Sequence, residues 1–298
     1  MKAAQIDHWR SLNPDLSISR SSNACSDVPQ ISDDLRSLQQ RFDREGYVHL
    51  HDAQEESTSP VLAAAVEAIV KTGMPPVFAF IYDEPWMAFR RLSQIVEQIL
   101  GGPSVMMPAF WVWHVDPRLK QSGWRPHRDF GHESLFPDRR PKSVTVWISI
   151  TEATTLNGCM YVVPAEWDPT YGTERDKTFF FDYRSIRALP AKVGDALIWN
   201  HALLHWGSRA SEWAGGPRIS MALEFQRADV APFSTPLFDP QTIFSFEQRL
   251  ALIAVQIQKY RHMYGELDLE SATFAEAWAP RVQDLVKSAA TDRPVIRP

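Results

Sequence analysis

Three stretches of different periodicity follow one another along the chain. From about Asp33 to Glu45, Leu35, Leu38 and Phe42 recur at helical spacing and Gly46 closes the run, which predicts a helix. GYVHLHD then alternates as a short strand does. PVLAAAVEAIVKTG predicts a second helix stopped by Gly73, and RRLSQIVEQILGG a third stopped by Gly101 and Gly102. The middle changes period. FWVWHV (110–115), SVTVWISI (143–150), CMYVVP (159–164), KTFFFDY (177–183), DALIWN (195–200) and RISMALEF (218–225) are short, β-branched or aromatic runs separated by turn formers. Such runs predict a sandwich or barrel. Helical spacing returns in FSFEQRLALIAVQIQKYRHMYG, with Phe246, Leu250, Ile253 and Ile257 on one face, and in TFAEAWAPRVQDLVKSAA, which Pro280 interrupts.

The pattern predicts a single domain over 1–298, with a helical part at about 33–104, a β core at 105–227 and helices at 243–298. The polar first forty residues predict a loosely ordered start. The stripe on the 243–264 helix predicts packing on the outside of the β core or pairing with a second chain, hence a monomer or a homodimer.

Composition narrows the functional classes. An apolar fraction of 44% over 298 residues supports a substantial core. A formal net charge of −5 argues against the concentrated basic surface that nucleic acid requires. Two cysteines, Cys25 and Cys159, are too few for a disulfide framework or a cysteine-ligated zinc site. No run approaches the roughly 18 apolar residues of a membrane span. The opening MKAAQIDHWRSLNPDLS lacks the apolar core of a signal peptide. The expectation is a cytoplasmic protein that binds neither nucleic acid nor membrane.

Candidate chemistry gathers in two places. WRPHRDFG (124–131) sets His127 and Asp129 two residues apart, and a second His-x-Asp, His114 and Asp116, lies upstream in WHVDP. Much later GDALIWNHALLHWGS offers His201 and His205, and the following strand run carries Arg218 and Ser220 on one face. Two imidazoles and one carboxylate can hold Fe(II) on one side and leave the other positions open. An arginine on a buried strand needs an anion, and guanidinium binds carboxylate through paired hydrogen bonds. The spacing of His201 and His205 also suits zinc on a helix, but no Glu follows His201 and GDALIWN reads as a strand. Trp124 and Trp206 are candidates for a pocket wall, and Arg128 must point away from a metal if its loop is extended.

In their order HRD, NGCMYVVPAEWD, GDALIWNHALLHWGS and PRIS, over about 105–227, resemble the phytanoyl-CoA dioxygenase family of Fe(II)/2-oxoglutarate-dependent oxygenases. The resemblance implies a mainly β fold, a double-stranded β-helix (a cupin-like jelly roll) flanked by helices. It implies His127, Asp129 and His205 as catalytic metal ligands, although Trp206 stands where the family tends to place Gly directly after the distal histidine. Arg218 would pair with the far carboxylate of 2-oxoglutarate and Ser220 would be its hydroxyl companion. The implied cofactor is Fe(II), with 2-oxoglutarate and dioxygen as cosubstrates. The implied activity is a dioxygenase that hydroxylates a small organic metabolite and releases succinate. Desaturation or epimerisation on the same fold, and a cupin-like binding protein without turnover, are the rival readings. Specificity is expected from the amino-terminal helices, the segment 130–142 and the loop 165–176.

Overall fold

The computed structural model describes residues 2–19, 35–54, 57–119, 121–263 and 267–284. Eight strands form among them: β1 (Tyr47–Leu50), β2 (Ser104–Val115), β3 (Ser143–Ser149), β4 (Met160–Val163), β5 (Arg187–Leu189), β6 (Ala196–Asn200), β7 (Leu204–Gly207) and β8 (Arg218–Arg227). They build a large antiparallel sheet ordered β1-β6-β3-β8-β2 and a small one ordered β5-β4-β7, the two sheets of a jelly roll.

Strand parity gives the large sheet two different faces. Ile219, Met221, Leu223 and Phe225 of β8 join Val144, Val146 and Ile148 of β3 in the main core under the helices. Arg218, Ser220, Ala222 and Glu224 take the opposite parity. In register they lie beside Trp111 and Trp113 of β2 and Thr145 and Trp147 of β3. On this inner side Trp147, Leu197 and Trp199 meet Cys159, Met160 and Val162 in a second apolar cluster.

The helices are α1 (Ile6–Leu12), α2 (Leu35–Glu45), α3 (Thr58–Lys71), α4 (Asp83–Arg91), α5 (Ser93–Leu100), α6 (Phe246–Lys259) and α7 (Leu269–Trp278). The α6 stripe packs within the chain, with Leu250, Ile253 and Ile257 fully buried in the main core. Ser245 and Gln248 close the start of α6 with a reciprocal capping box. Midway along, the Gln256 amide accepts from Phe110 N at 3.3 Å and donates to Pro108 O at 2.9 Å. That clasp satisfies β2 where its pairing with β8 is irregular, between Met106 and Phe110.

Several expectations change. The start of the chain is packed: Trp9 is fully buried against Phe78, and its indole donates to Ala3 O at 2.8 Å. One aromatic anchor outweighs a polar neighbourhood. RRLSQIVEQILGG divides at Leu92 between α4 and α5. KTFFFDY forms no strand. The place beside β4 is taken by β5, and Phe179 and Phe180 are left 50% and 70% exposed. Strand β7 was not foreseen. Asp33, Asp34, Cys25 and the end of the TFAEAWAPRVQDLVKSAA run lie outside the described residues.

Candidate metal centre and active site

A bridge between two loop-proximal segments assembles the centre. His127 N donates to His205 O and His205 N to His127 O, both at 3.0 Å, which locks the HRD segment onto β7. Each imidazole then turns its Nδ1 to a carbonyl two residues back: His127 to Arg125 O at 2.8 Å, His205 to Leu203 O at 3.0 Å. With Nδ1–H donating, both Nε2 lone pairs are free for a metal. They converge on Asp129, whose Oδ1 lies 3.5 Å from His127 Nε2 and 3.7 Å from His205 Nε2. The other carboxylate oxygen is already held, by Thr145 Oγ at 3.0 Å and Trp199 Nε1 at 3.3 Å. One oxygen is anchored and the other is offered.

His201 is not part of this set. It is fully buried, and its Nε2 lies 3.0 Å from Thr145 Oγ, so it donates to the hydroxyl that in turn donates to Asp129. Burial pushes both His201 and His205 down to about 4, so each is neutral at physiological pH. Burial opposes the charge on Asp129, but the surrounding His205, His127 and His201 outweigh it and hold the carboxyl far below its usual range. His127 shows the converse balance: burial lowers it, and the adjacent Asp129 raises it by more.

Above the three donors lies a cavity of about 270 Å³ walled by Trp111, Trp113, Trp124 and Tyr260. It shares Trp111, Trp113, Trp124 and His127 with a larger neighbouring cavity of about 940 Å³ that reaches α3 and Met74. Arg218 also lines the smaller cavity. The residue is 1% exposed, and its guanidinium donates to Ser220 Oγ at 2.6 Å and faces no carboxylate among the described residues. Its Nε has no partner there either. Burial pulls it down to about 10 from its usual value, which leaves it charged at neutral pH.

The phytanoyl-CoA dioxygenase (PhyH) family profile matches residues 33–212. The chain belongs to the phytanoyl-CoA dioxygenase family. It is therefore an oxidoreductase of the Fe(II)/2-oxoglutarate-dependent kind, and its three converging donors fit that metal. None of the curated proteins matches it in sequence. Among solved structures it resembles AviO1 from Streptomyces viridochromogenes Tue57, at 17% identity and a TM-score of 0.54 over 67% of this chain and 97% of that one. It also resembles SnoK, an alpha-ketoglutarate-dependent carbocyclase of nogalamycin biosynthesis, at 16% identity and 0.52 over 70% and 88%. EctD from S. alaskensis follows at 17% and 0.50 over 73% and 84%. At these identities the likeness is one of fold.

The family match ends before Arg218 and Ser220, so those two rest on geometry alone. His114 bonds Glu67 at 3.2 Å and Asp116 pairs with Arg118, both away from the centre. Arg128 turns from the metal donors to Asp168 and Thr170. Trp124 lies 5.5 Å from the His127 ring, whereas Trp206 stacks on Tyr161 and Phe181 outside the cavity. The segment 130–142 contributes only Phe130 to the lining and 165–176 contributes nothing. The wall comes from β2, β8 and the end of α6 instead.

Sequence reasoning missed Thr145, Trp199 and Glu224. Glu224 has a buried Oε2 without a partner, and burial together with the nearby Asp129 charge pushes its carboxyl up to about 8. The signal was present in part, because Glu224 shares strand parity with Arg218 and Ser220.

Proposed function

We propose that this chain hydroxylates a small organic molecule while converting 2-oxoglutarate to succinate, with His127, Asp129 and His205 as the iron ligands and Arg218 and Ser220 as the cosubstrate anchor. The observation that carries the reading is the pairing of two unlike features in one cavity. Three bare donor atoms converge at its floor, and a buried guanidinium without a carboxylate partner among the described residues lines its wall. A site that only held a metal would have no use for that cation, whereas a dicarboxylate supplies the missing charge. Bound iron supplies the oxidising chemistry, using dioxygen and the decarboxylation of the 2-oxo acid to place oxygen on a substrate carbon.

The protein's own part is positioning and exclusion of water. Thr145 and Trp199 fix the orientation of Asp129, the two backbone carbonyls fix the histidine tautomers, and the tryptophans present an apolar wall to the substrate. Glu224 offers one hydrogen-bonding group within that wall, which suits an aromatic or alicyclic substrate carrying a polar substituent. Lys259 and Tyr260 bring the end of α6 into the same cavity, which supports the reading of the flanking helices and the jelly roll as one catalytic domain. No helix among the described residues is long and apolar enough to cross a membrane.

Incubation with Fe(II), ascorbate and 2-oxoglutarate in air, followed by NMR detection of succinate, tests the reading. Slow succinate release by the intact chain and its loss in His205→Ala are expected. Tight iron binding with no succinate under any substrate mixture would leave a metal-binding protein instead.

A further inference from the structure

The first strand carries a second donor cluster that the iron site does not use. In β1 and the turn after it, His49 and His51 have the same parity, and β1 pairs antiparallel with β6 in the register His49↔Leu197 and Leu50↔Ala196. Continued by one step, that register sets His51 opposite Asp195. All three side chains therefore leave the sheet on one side. His49 Nε2 lies 2.8 Å and His51 Nδ1 3.2 Å from the same oxygen, Asp195 Oδ2, and the imidazole rings are 4.2 Å apart. The three donor atoms all lie within 4.8 Å of one another.

We propose that His49, His51 and Asp195 form a second divalent-metal site, suited to zinc, that pins the edge strand β1 to the turn opening β6. Two imidazoles and one carboxylate are a zinc donor set, and bonds of about 2.0–2.2 Å place tetrahedral donors roughly 3.3 Å apart. The two imidazole-to-carboxylate spacings, 2.8 and 3.2 Å, lie within about half an ångström of that value. The carboxylate is already oriented: Asp195 is 1% exposed, and its oxygens accept from Asp52 N at 3.2 Å and Lys192 N at 3.0 Å. The His51 side chain is 66% exposed, which leaves an open side for the ion and a water ligand. Each imidazole needs only to move its ring proton to the other nitrogen to present a lone pair, so no net proton is lost. β1 is an outermost strand of the large sheet, where a cross-strand clasp has most to hold. The cluster is separate from the iron centre. Asp195, just before β6, and the iron-side Trp199 on it are four residues apart, about 13 Å at the usual strand rise.

Tag-free, metal-stripped protein is dialysed to equilibrium against zinc chloride and the bound zinc is counted by atomic emission. Two zinc ions per chain are expected for the wild type, one for His51→Ala, one for His205→Ala and none for the double variant. Asp195→Asn keeps an oxygen for one of the two backbone donors and should also bind one. In His205→Ala, zinc should raise the melting temperature, and adding His51→Ala should remove the rise. A wild type and a His51→Ala chain that take up equal zinc, or a His205→Ala chain that takes up none, would overturn the proposal. Failure of the iron-site reading would show in the other arm, as a His205→Ala chain that binds as much zinc as the wild type.

Discussion

Replacing Arg218 by methionine separates a cosubstrate anchor from a structural cation. Methionine keeps most of the volume and removes the charge. In the folded, ligand-free protein that charge is a cost: burial takes the guanidinium from 12.5 to about 10, which corresponds to roughly 3 kcal/mol of folding free energy at about 1.4 kcal/mol per unit. The sign follows from linkage. A base whose folded value is depressed disfavours folding in full at any pH below that value, so the cost is present throughout the neutral range. The side chain is 1% exposed, and solvent screening does not reduce the figure. Arg218→Met should therefore melt no lower than the wild type without ligand, the gain offsetting the lost hydrogen bond to Ser220. The complex should behave in the opposite way. Removing one partner of a buried charge pair costs about 2–5 kcal/mol, or ~30- to 5000-fold in the dissociation constant of 2-oxoglutarate. Calorimetric titration of the anaerobic manganese-loaded protein, beside thermal unfolding of the metal-free one, measures both quantities. An unchanged affinity with a melting temperature several degrees lower would mean that Arg218 serves the fold, as a buried ion pair broken at one end does.

Four further outcomes are expected. His127→Ala, Asp129→Ala and His205→Ala should each abolish iron binding with an unchanged circular dichroism spectrum, Thr145→Val should weaken it by about 10–100-fold, and His201→Ala should keep one iron per chain; iron lost from His201→Ala but kept by His205→Ala would reverse the assignment. Glu224 titrates at about 8 in the folded protein against an ordinary 4.5, so its contribution to stability is complete below 4.5 and is lost as the pH rises to 8. Urea titrations of the metal-free protein should accordingly show Glu224→Gln gaining on the wild type across that window and holding level above it, and a pH-independent difference would refute the burial argument. Ile253→Ala, at a fully buried α6 position, should cost about 2–5 kcal/mol. A chain truncated before Phe244 should aggregate in light scattering, and soluble active monomers from a dimeric parent would contradict the packing of α6 within the chain.

Much of this architecture is written in local periodicity. The β8 run alternates apolar and polar, and that parity alone separates the side chains that enter the core from Arg218, Ser220 and Glu224. The HRD segment and a later histidine were legible as candidate ligands, because the chemistry of iron limits which residue types can serve. Periodicity also located α3, α6 and most strands of the large sheet, where each element buries one continuous face. It failed for KTFFFDY, whose aromatic run satisfies strand propensity but finds no partner strand, and for β7, whose four residues are too few to show a period.

Tertiary structure sets His201 and His205 apart. Both lie in one short segment, and only the mutual backbone bridge to His127 brings His205 Nε2 toward Asp129 while His201 stands behind Thr145. The anchoring of Asp129 by Thr145 and Trp199 depends in the same way on the β3–β6 register, which pairs those two residues directly. The aromatic wall needs α6 to return across β2 and set Tyr260 against Trp111 and Trp124. The sequence by itself determined which residues could bind metal and which faces had to be buried, since those follow from side-chain chemistry and neighbours two to four positions away. Which donors meet was decided only by the pairing of strands distant in the chain, because a one-residue change of register would send each of them to the opposite face.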